Sequence, residues 1–526
     1  MNGKISCDTC LEFLVNFFIK NWNEDGSIPT EKPGDRGSQW TTSSVIFVLS
    51  KMLEEGLLIP SNILMSKIFD AIAWLHRSID FSRIFSSEDF DQKPPQDFIT
   101  ILDVLCIPAI AFYGRTIIKV IKLKQNGILK LSEYQYDFII SVAKDFFKNL
   151  CILLTKEMKE EIEQEKFGVG FMVGFPNATV YTVMFAEFLL DVLKNAPILI
   201  DHGIIGHKET KFFASLLTKS LKFIFSMYVE EGGWKNRASE PPHPFVTSLV
   251  GNLLLGIVTA LHDSNLNRMF KHDLNKVISK ANIDFQKVIL YLKHQSNDGR
   301  WDDFVDGVDL FKFGAGTSLT IYFFCQPYVI IFLSNLIKFI NANANQLKLL
   351  GNIKENYDLI EEMIFMGVTT LINQLVVNVD NKCAYVPFLK GRVITWSSRD
   401  TLNALMHVKV AVLDLMYFRG LLDQFITFTT NREVYFSNLK KEVEMAKDKL
   451  KDDIIYYLLS IKNRIMVLSG FFIGIGVLAQ IWILSLLNLR IEIGTSIILF
   501  ITGVLIELLR ELLKYVGRAI RVVKKA

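Results

Sequence analysis

Four aspartates in the second half of the chain, Asp302, Asp303, Asp306 and Asp400, are of the type that does acid–base chemistry. Two carboxylates flanking a glycosidic bond supply the acid and the base, or the nucleophile, of its hydrolysis. The plainer alternative is a solvated acidic loop whose carboxylates cap helix N-termini. A second set is cationic and aromatic. Arg36, Lys235, Arg237, His243, Arg300, Arg392 and Arg399 stand in the same kind of loop as Trp40, Trp234, Trp301 and Trp396. Gathered at one mouth above an apolar shaft, they would suit an amphiphile with a phosphate head, or a nucleotide. Against this, each can be an ordinary loop residue, with the tryptophans packing between helices.

Metal and thiol chemistry draw less support. The six cysteines (Cys7, Cys10, Cys106, Cys151, Cys325, Cys383) are sparse and mostly sit in apolar helical runs, which fits reduced thiols better than a disulfide framework. Cys7-Asp-Thr-Cys10 is a lone C-x-x-C with no second pair. There is no phosphate-binding P-loop and no G-x-S-x-G, so no cofactor is expected.

What must position these residues is a unit seen best between Gln295 and Ser318. A helix with its apolar spacing from Ile283 to Lys293 ends at a loop holding Asp298-Gly299 and Trp301. Thr317 or Ser318 then caps a second, apolar helix expected from Leu319 to Ile340. The pattern recurs. In the first unit a helix over Cys7–Lys20 precedes a loop with Asp25-Gly26 and Trp40, and Thr41 to Ser44 cap a helix to Leu53. The second runs from Ser61 to Ile79, with Asp97 capping a helix to Tyr113. In the third, Ser132–Glu165 is followed by a glycine-rich loop and a helix over Ala178–Leu193. The fourth pairs Lys208–Val229 with Gly232-Gly-Trp234 and a helix opened by Thr247-Ser248. The sixth pairs Tyr357–Val377 with a loop holding Trp396 and a helix capped by Ser397-Ser398 that reaches Phe418.

Six helical hairpins joined by long loops make an (α/α)6 toroid, with first helices outside and the more apolar second helices inside. All inner-helix N-termini would then share one rim, where their dipoles favour an anion. The fold expected is all-α: a toroid over 1–430, an amphipathic connecting helix over 431–463, and a transmembrane hairpin with a basic tail over 464–526.

The loop residues carry a family resemblance. Tyr291-Leu292, Gln295, Asp298-Gly299 and Trp301 resemble the Gln/Trp repeat of terpenoid cyclases, and the Thr/Ser helix starts resemble those of protein prenyltransferase β-subunits. The resemblance spans roughly residues 1 to 420 and is partial at Asp25-Gly26 and Gly232-Gly233-Trp234. It implies an isoprenoid or lipid substrate, but the family chemistry is missing. Neither Asp89-Phe-Asp91-Gln92 nor Asp302-Asp-Phe-Val-Asp306 matches the cyclase Asp-x-Asp-Asp motif. Cys325 and His407 fall on neighbouring inner helices, yet no Asp-x-Cys pair opens one, so the prenyltransferase zinc set is incomplete and no metal is expected.

The bulk composition fits a globular body with a membrane piece. The 526 residues are 50% hydrophobic yet 21% charged, and the mean hydropathy is +0.29. A net charge of +3 gives no general support for a nucleic-acid partner. Asp8 and Glu12 interrupt the apolar run near the N-terminus, so no secretory signal is expected.

From Asn431 to Lys462 a charged helix, roughly 45 Å long at about 1.5 Å per residue, carries Phe436, Leu439, Val443, Ala446, Leu450, Ile454, Tyr457 and Ile461 on one face. That face could be a seam between subunits or could lie on the toroid. Ile465–Leu487 is uncharged and long enough to span a bilayer, and Ile493–Leu509 follows it. Basic residues flank both outer ends, which puts both termini and the toroid on the cytoplasmic side of the inner membrane. Gly470 and Gly474 form a G-x-x-x-G for close helix packing, and Gln480 lies at membrane depth as hairpin glue or as a pore-lining group. Large sensor, connecting helix and short spans form a layout resembling membrane effectors of bacterial antiviral defence. The expectation is therefore a membrane-anchored, ligand- or partner-binding toroid. The alternatives are a membrane-associated enzyme on an isoprenoid or other lipid, and a glycan-active toroid.

Overall fold

The structure is a computed structural model. It describes residues 7–30, 37–79, 81, 106–156, 158–171, 176–262, 268–281, 283–309, 318–342, 356–378, 382–388, 392–393 and 395–412. These fall within one of two units of the chain, Ile5–Phe425. The connecting helix over 431–463 and the hairpin with Gly470, Gly474 and Gln480 lie outside the described residues, as do Arg36 and Asp97.

Among the described residues, twelve of the helices form six outer–inner pairs. The outer helices are α1 (Cys7–Lys20), α3 (Asn62–Ser78), α5 (Glu133–Lys156), α7 (His207–Phe225), α9 (Phe285–His294) and α11 (Tyr357–Asn373). The inner ones are α2 (Gln39–Glu54), α4 (Ile107–Gln125), α6 (Thr179–Lys194), α8 (Pro244–Leu261), α10 (Cys325–Ala342) and α12 (Thr395–Val412). Each inner helix packs on the next, α2 on α4, α4 on α6, and so on to α12, which returns to α2. The ring is closed. Each outer helix lies against the inner helix that precedes it, and α1 lies against α12. The fold is an α/α toroid.

Hydrogen bonds in the loops repeat with the helices. The Ile28, Val169, Trp234 and Val386 N–H groups donate to Thr42 Oγ1, Thr182 Oγ1, Thr247 Oγ1 and Ser398 Oγ at 2.9, 3.0, 3.0 and 3.0 Å. Each acceptor is the fourth residue of its inner helix. In the fifth unit Trp301 N–H donates to Gln326 Oε1 instead, at 3.2 Å. The hydroxyls expected to cap these helices therefore sit one turn inside and staple the incoming loop; Ser38 and His243 cap α2 and α8. Two residues past the staple the loop turns to the preceding unit. Phe171, Asn236 and Thr30 carbonyls accept from the first N–H of α4, α6 and α12, at 2.9, 2.9 and 2.8 Å. The last of these bonds ties the sixth unit to the first. Gly26, Gly232 and Gly299, two residues before the staple, all have positive φ, and a Cβ on any of them would strike the next outer helix, at Asp70, Lys287 or Met366.

Three sequence expectations need correction. Ser318–Phe323 is a strand, not the start of a helix: β2 pairs antiparallel with β1 (Phe304–Asp309), Phe304 opposite Phe323 and Asp306 opposite Ile321. Its buried Ile321 and Phe323 flank exposed Tyr322, a period of two that the continuous apolar run hid. Second, the inner helix of the second unit starts at Ile107 and runs well beyond Tyr113, because Arg115, Lys119 and Lys122 are helical residues rather than a polar exit. Third, the more apolar inner helices also carry charged side chains, among them Lys51, Arg115, Glu187 and Lys338. Pro244–Leu261 and Cys325–Ala342 are the two described helices long and apolar enough to cross a membrane, and both are mostly buried inner-ring helices. Shorter pairings join 376–378 to 383–385 and 387–388 to 392–393, and a further helix, Arg268–Ala281, packs on α7 and α8.

Candidate functional site

The rim where the inner helices begin is covered by the β1–β2 hairpin. Asp306 in β1 is 1% exposed. It accepts from Tyr181 OH at 2.6 Å and Asn236 Nδ2 at 3.2 Å. Arg237 grips it bidentately, with Nη1 at 2.5 Å and Nη2 at 3.2 Å. Its neighbour Phe323 stacks on Phe245 at 4.7 Å and reaches Trp40 of the first unit at 6.1 Å, while Trp40 meets Phe171 at 6.1 Å. One hairpin from the fifth unit is thus latched to the third and fourth and touches the first.

Just below lies a buried arginine. Arg399 Nε and Nη2 donate to Asp400 Oδ1 at 2.8 and 2.6 Å, and Nη1 donates to Ser44 Oγ at 2.5 Å. Tyr328 OH adds a bond to Asp400 at 3.2 Å, and the guanidinium lies 6.0 Å from the Phe112 ring. Burial raises the Asp400 pKa and the Arg399 charge opposes the rise; the geometry is that of an ion pair.

Deeper along the axis the side chains form a belt through all six inner helices. Asn335 Nδ2 donates to Asn252 Oδ1 at 2.7 Å. His407 joins Asn335 through Nδ1 at 2.7 Å and Lys51 through Nε2 at 2.6 Å. Glu54, one turn from Lys51, pairs with Lys119 at 2.5 Å and Lys122 at 3.0 Å. Arg115 pairs with Glu187 at 2.5 Å and Asp191 at 2.7 Å and lies over Phe47. Lys338 reaches from α10 to Glu55 beyond α2, at 3.8 Å, skipping α12. Burial first, then the charges of Lys119 and Arg115, push the Lys51 pKa down to about 8. Burial and Lys51 hold His407 well below its ordinary value, so it is neutral.

Exposure shows which end is open. Side-chain exposure is 5% at Arg399, 15% at Arg115, 38% at Lys122 and 52% at Lys338. It rises toward the C-terminal ends of the inner helices. Lys51, His407 and Tyr328 are half-buried, so part of each side chain stays open.

The sequence-expected mouth is therefore dispersed. Trp234 and Trp301 are buried, the latter donating from Nε1 to Leu292 O at 2.8 Å, so they pack helix ends. His243 is an N-cap whose Nδ1 accepts from Phe245 N–H at 3.1 Å; burial takes its pKa down to about 4, so it carries no charge for an anion. Arg237 and Arg399 are spent on Asp306 and Asp400. Arg300 is exposed and Trp396 half-buried. Asp302 is exposed, and Asp303 caps α10 by accepting from Cys325 N–H at 3.2 Å. Cys325 opens α10 while both ring nitrogens of His407 are engaged far along α12, which leaves no zinc pair. Among the described residues no three His, Cys, Asp or Glu side chains are grouped to hold a metal.

The belt was missed, although four of the six inner helices spell it. Lys51–Glu55, Arg115–Lys119–Lys122, Glu187–Asp191 and Asn335–Lys338 follow the 3/4 spacing of one helical stripe.

No family model matches the chain, and no curated protein matches it. Among solved structures it is similar to the GH76A alpha-1,6-mannanase from Salegentibacter sp. HEL1_6, with TM-score 0.45, 11% identity and coverage of 77% of this chain and 99% of that one. An inactive variant of that mannanase in complex with alpha-1,6-mannotriose gives TM-score 0.44 and 11% identity, over 77% and 98%. A family 105 glycoside hydrolase from C. acetobutylicum ATCC 824 gives 0.39 and 12%, over 71% and 94%. The likeness is one of fold, the α/α toroid.

Proposed function

We propose that this protein is a ligand-binding α/α toroid tethered to a membrane by its C-terminal segment, a recognition module coupled to a membrane effector rather than a hydrolase or lipid-modifying enzyme. The observation that supports the binding half is the axial belt. It brings a cation, neutral amides, an imidazole and carboxylates to neighbouring depths of one funnel, as multi-point recognition of a polar ligand requires. Two of the four candidate carboxylates are held by other side chains. Asp306 lies under the hairpin, bonded by Tyr181, Asn236 and Arg237, and Asp400 is buried against Arg399.

The membrane half rests on the sequence: an uncharged Ile465–Leu487, a second apolar run to Leu509, and basic flanks. Residues 431–463 supply an apolar stripe through which copies would associate, and the layout resembles that of membrane effectors of antiviral defence. The test is expression of the full chain beside a chain ending before Asn431, with membrane fractionation and a potential-sensitive dye. The full chain is expected in the membrane fraction and to depolarise it, while the shortened chain does neither. A full chain that stays in the soluble fraction, or one that turns over a lipid extract at normal potential, overturns the reading.

A further inference from the structure

Hydrogen-bond direction along the belt is fixed by its members. An ammonium can only donate, so His407 Nε2 accepts from Lys51 Nζ and the ring proton sits on Nδ1. Nδ1–H then donates to Asn335 Oδ1, and Asn335 Nδ2 donates to Asn252 Oδ1. The N–H groups still open along this wall are on Lys51 Nζ, Asn335 Nδ2 and Asn252 Nδ2, and each asparagine Oδ1 already accepts one bond. A wall of donors with one cation fits a ligand that accepts and carries negative charge.

We propose that the funnel holds an oxyanion, the phosphate or carboxylate of a small ligand, at Lys51, with the Asn335 and Asn252 amides taking further acceptor atoms. This rests on the reading of the toroid as a binding module. The groups facing Lys51 are Lys119 and Arg115 on the cationic side and Glu187 and Glu55 on the acidic side, while Lys338 faces His407, the hydrogen-bond partner of Lys51. Arg115, Lys119 and Lys338 are each paired with a carboxylate; among the described residues Lys51 meets only the neutral His407. An arriving oxyanion gives it a counter-charge. The depressed Lys51 pKa of about 8 agrees with a cation waiting for one.

The test is calorimetry on the detergent-solubilised full chain with sulfate, whose charge is constant above neutral pH. Affinity is expected to fall roughly tenfold or more in Lys51→Met and to stay within about threefold in Lys51→Arg. In the wild type it should weaken between pH 7 and 9 as Lys51 loses its proton, and the Lys51→Arg chain should show no such decline. Glycerol 3-phosphate against dihexanoyl phosphatidic acid then separates a soluble ligand from a lipid headgroup. Sulfate binding unchanged in Lys51→Met, or no binding by a folded wild type, overturns the proposal. A chain that binds sulfate but never reaches a membrane would sink the effector reading and leave this one standing.

Discussion

Lys51 and His407 stand 356 positions apart in the chain and 2.6 Å apart in the fold, Nζ to Nε2. The contact joins the first inner helix to the last and seats an ammonium against a neutral ring. Its consequence for stability is read from the pH dependence. Burial lowers the folded-state pKa of Lys51 from 10.5 to about 8. Below both values folded and unfolded chains hold the same proton, and the cost of burying the charge is fully present. Between them the unfolded chain keeps a proton that the folded chain has released, so stability rises with pH across that window. Unfolding free energies from urea titration should climb from pH 8 to 10.5 in the wild type, by about 1–3 kcal/mol attributable to this group. Lys51→Met should lack that share of the climb; parallel curves for the two chains contradict the assignment.

The Asp306 latch gives a second expectation. Asp306→Asn keeps an acceptor for Tyr181 but leaves Arg237 with only Glu240. Removing one member of a buried ion pair costs about 3–5 kcal/mol. Hydrogen exchange at Phe304–Asp309 should speed up ahead of exchange in the inner helices. Unchanged exchange there means the hairpin is held by its aromatic stack alone.

Staples offer a cleaner comparison. Thr247→Val removes the acceptor for the buried Trp234 N–H, and an orphaned buried donor costs about 1–3 kcal/mol. Thr247→Ser keeps the hydroxyl and should recover most of that loss in denaturant midpoint. Thr42→Val should act alike and nearly additively, since the two sites lie in different units.

Two glycines separate backbone strain from collision. Gly299 and Gly127 share positive φ, at 79° and 71°. A methyl on Gly127 meets open space, whereas on Gly299 it meets Met366. Gly127→Ala should cost about 1–2 kcal/mol. Gly299→Ala should cost clearly more, because α11 has to move; equal losses mean the outer helix has room to give.

These sites also mark what was legible. Asp298-Gly299 with Trp301, and hydroxyls in the first turn of four inner helices, identify the repeat because glycine and a fourth-position Thr or Ser each answer a local backbone need. The alternation around Tyr322 was lost inside an apolar run of helical length, and a hairpin partner on the far side of a loop left no local mark. The belt was illegible for another reason. Lys51 with His407, and Ser44 with Arg399, meet only when the ring closes, so no local signal pairs them. Trp234 and His243 were placed at a ligand mouth because they lie in loops, yet in this toroid the loops carry the packing between units.

The most direct measurement is thiol-labelling rate against depth along the axis, in single variants Lys338→Cys, Asn252→Cys and Ser44→Cys, with the wild-type rate of the native cysteines subtracted. An axis that opens at the C-terminal ends of the inner helices and is shut by Arg399 and the hairpin predicts fast labelling at 338, intermediate at 252 and slow at 44. Labelling at 44 as fast as at 338 would put the opening on the loop side and contradict the funnel on which the binding reading stands.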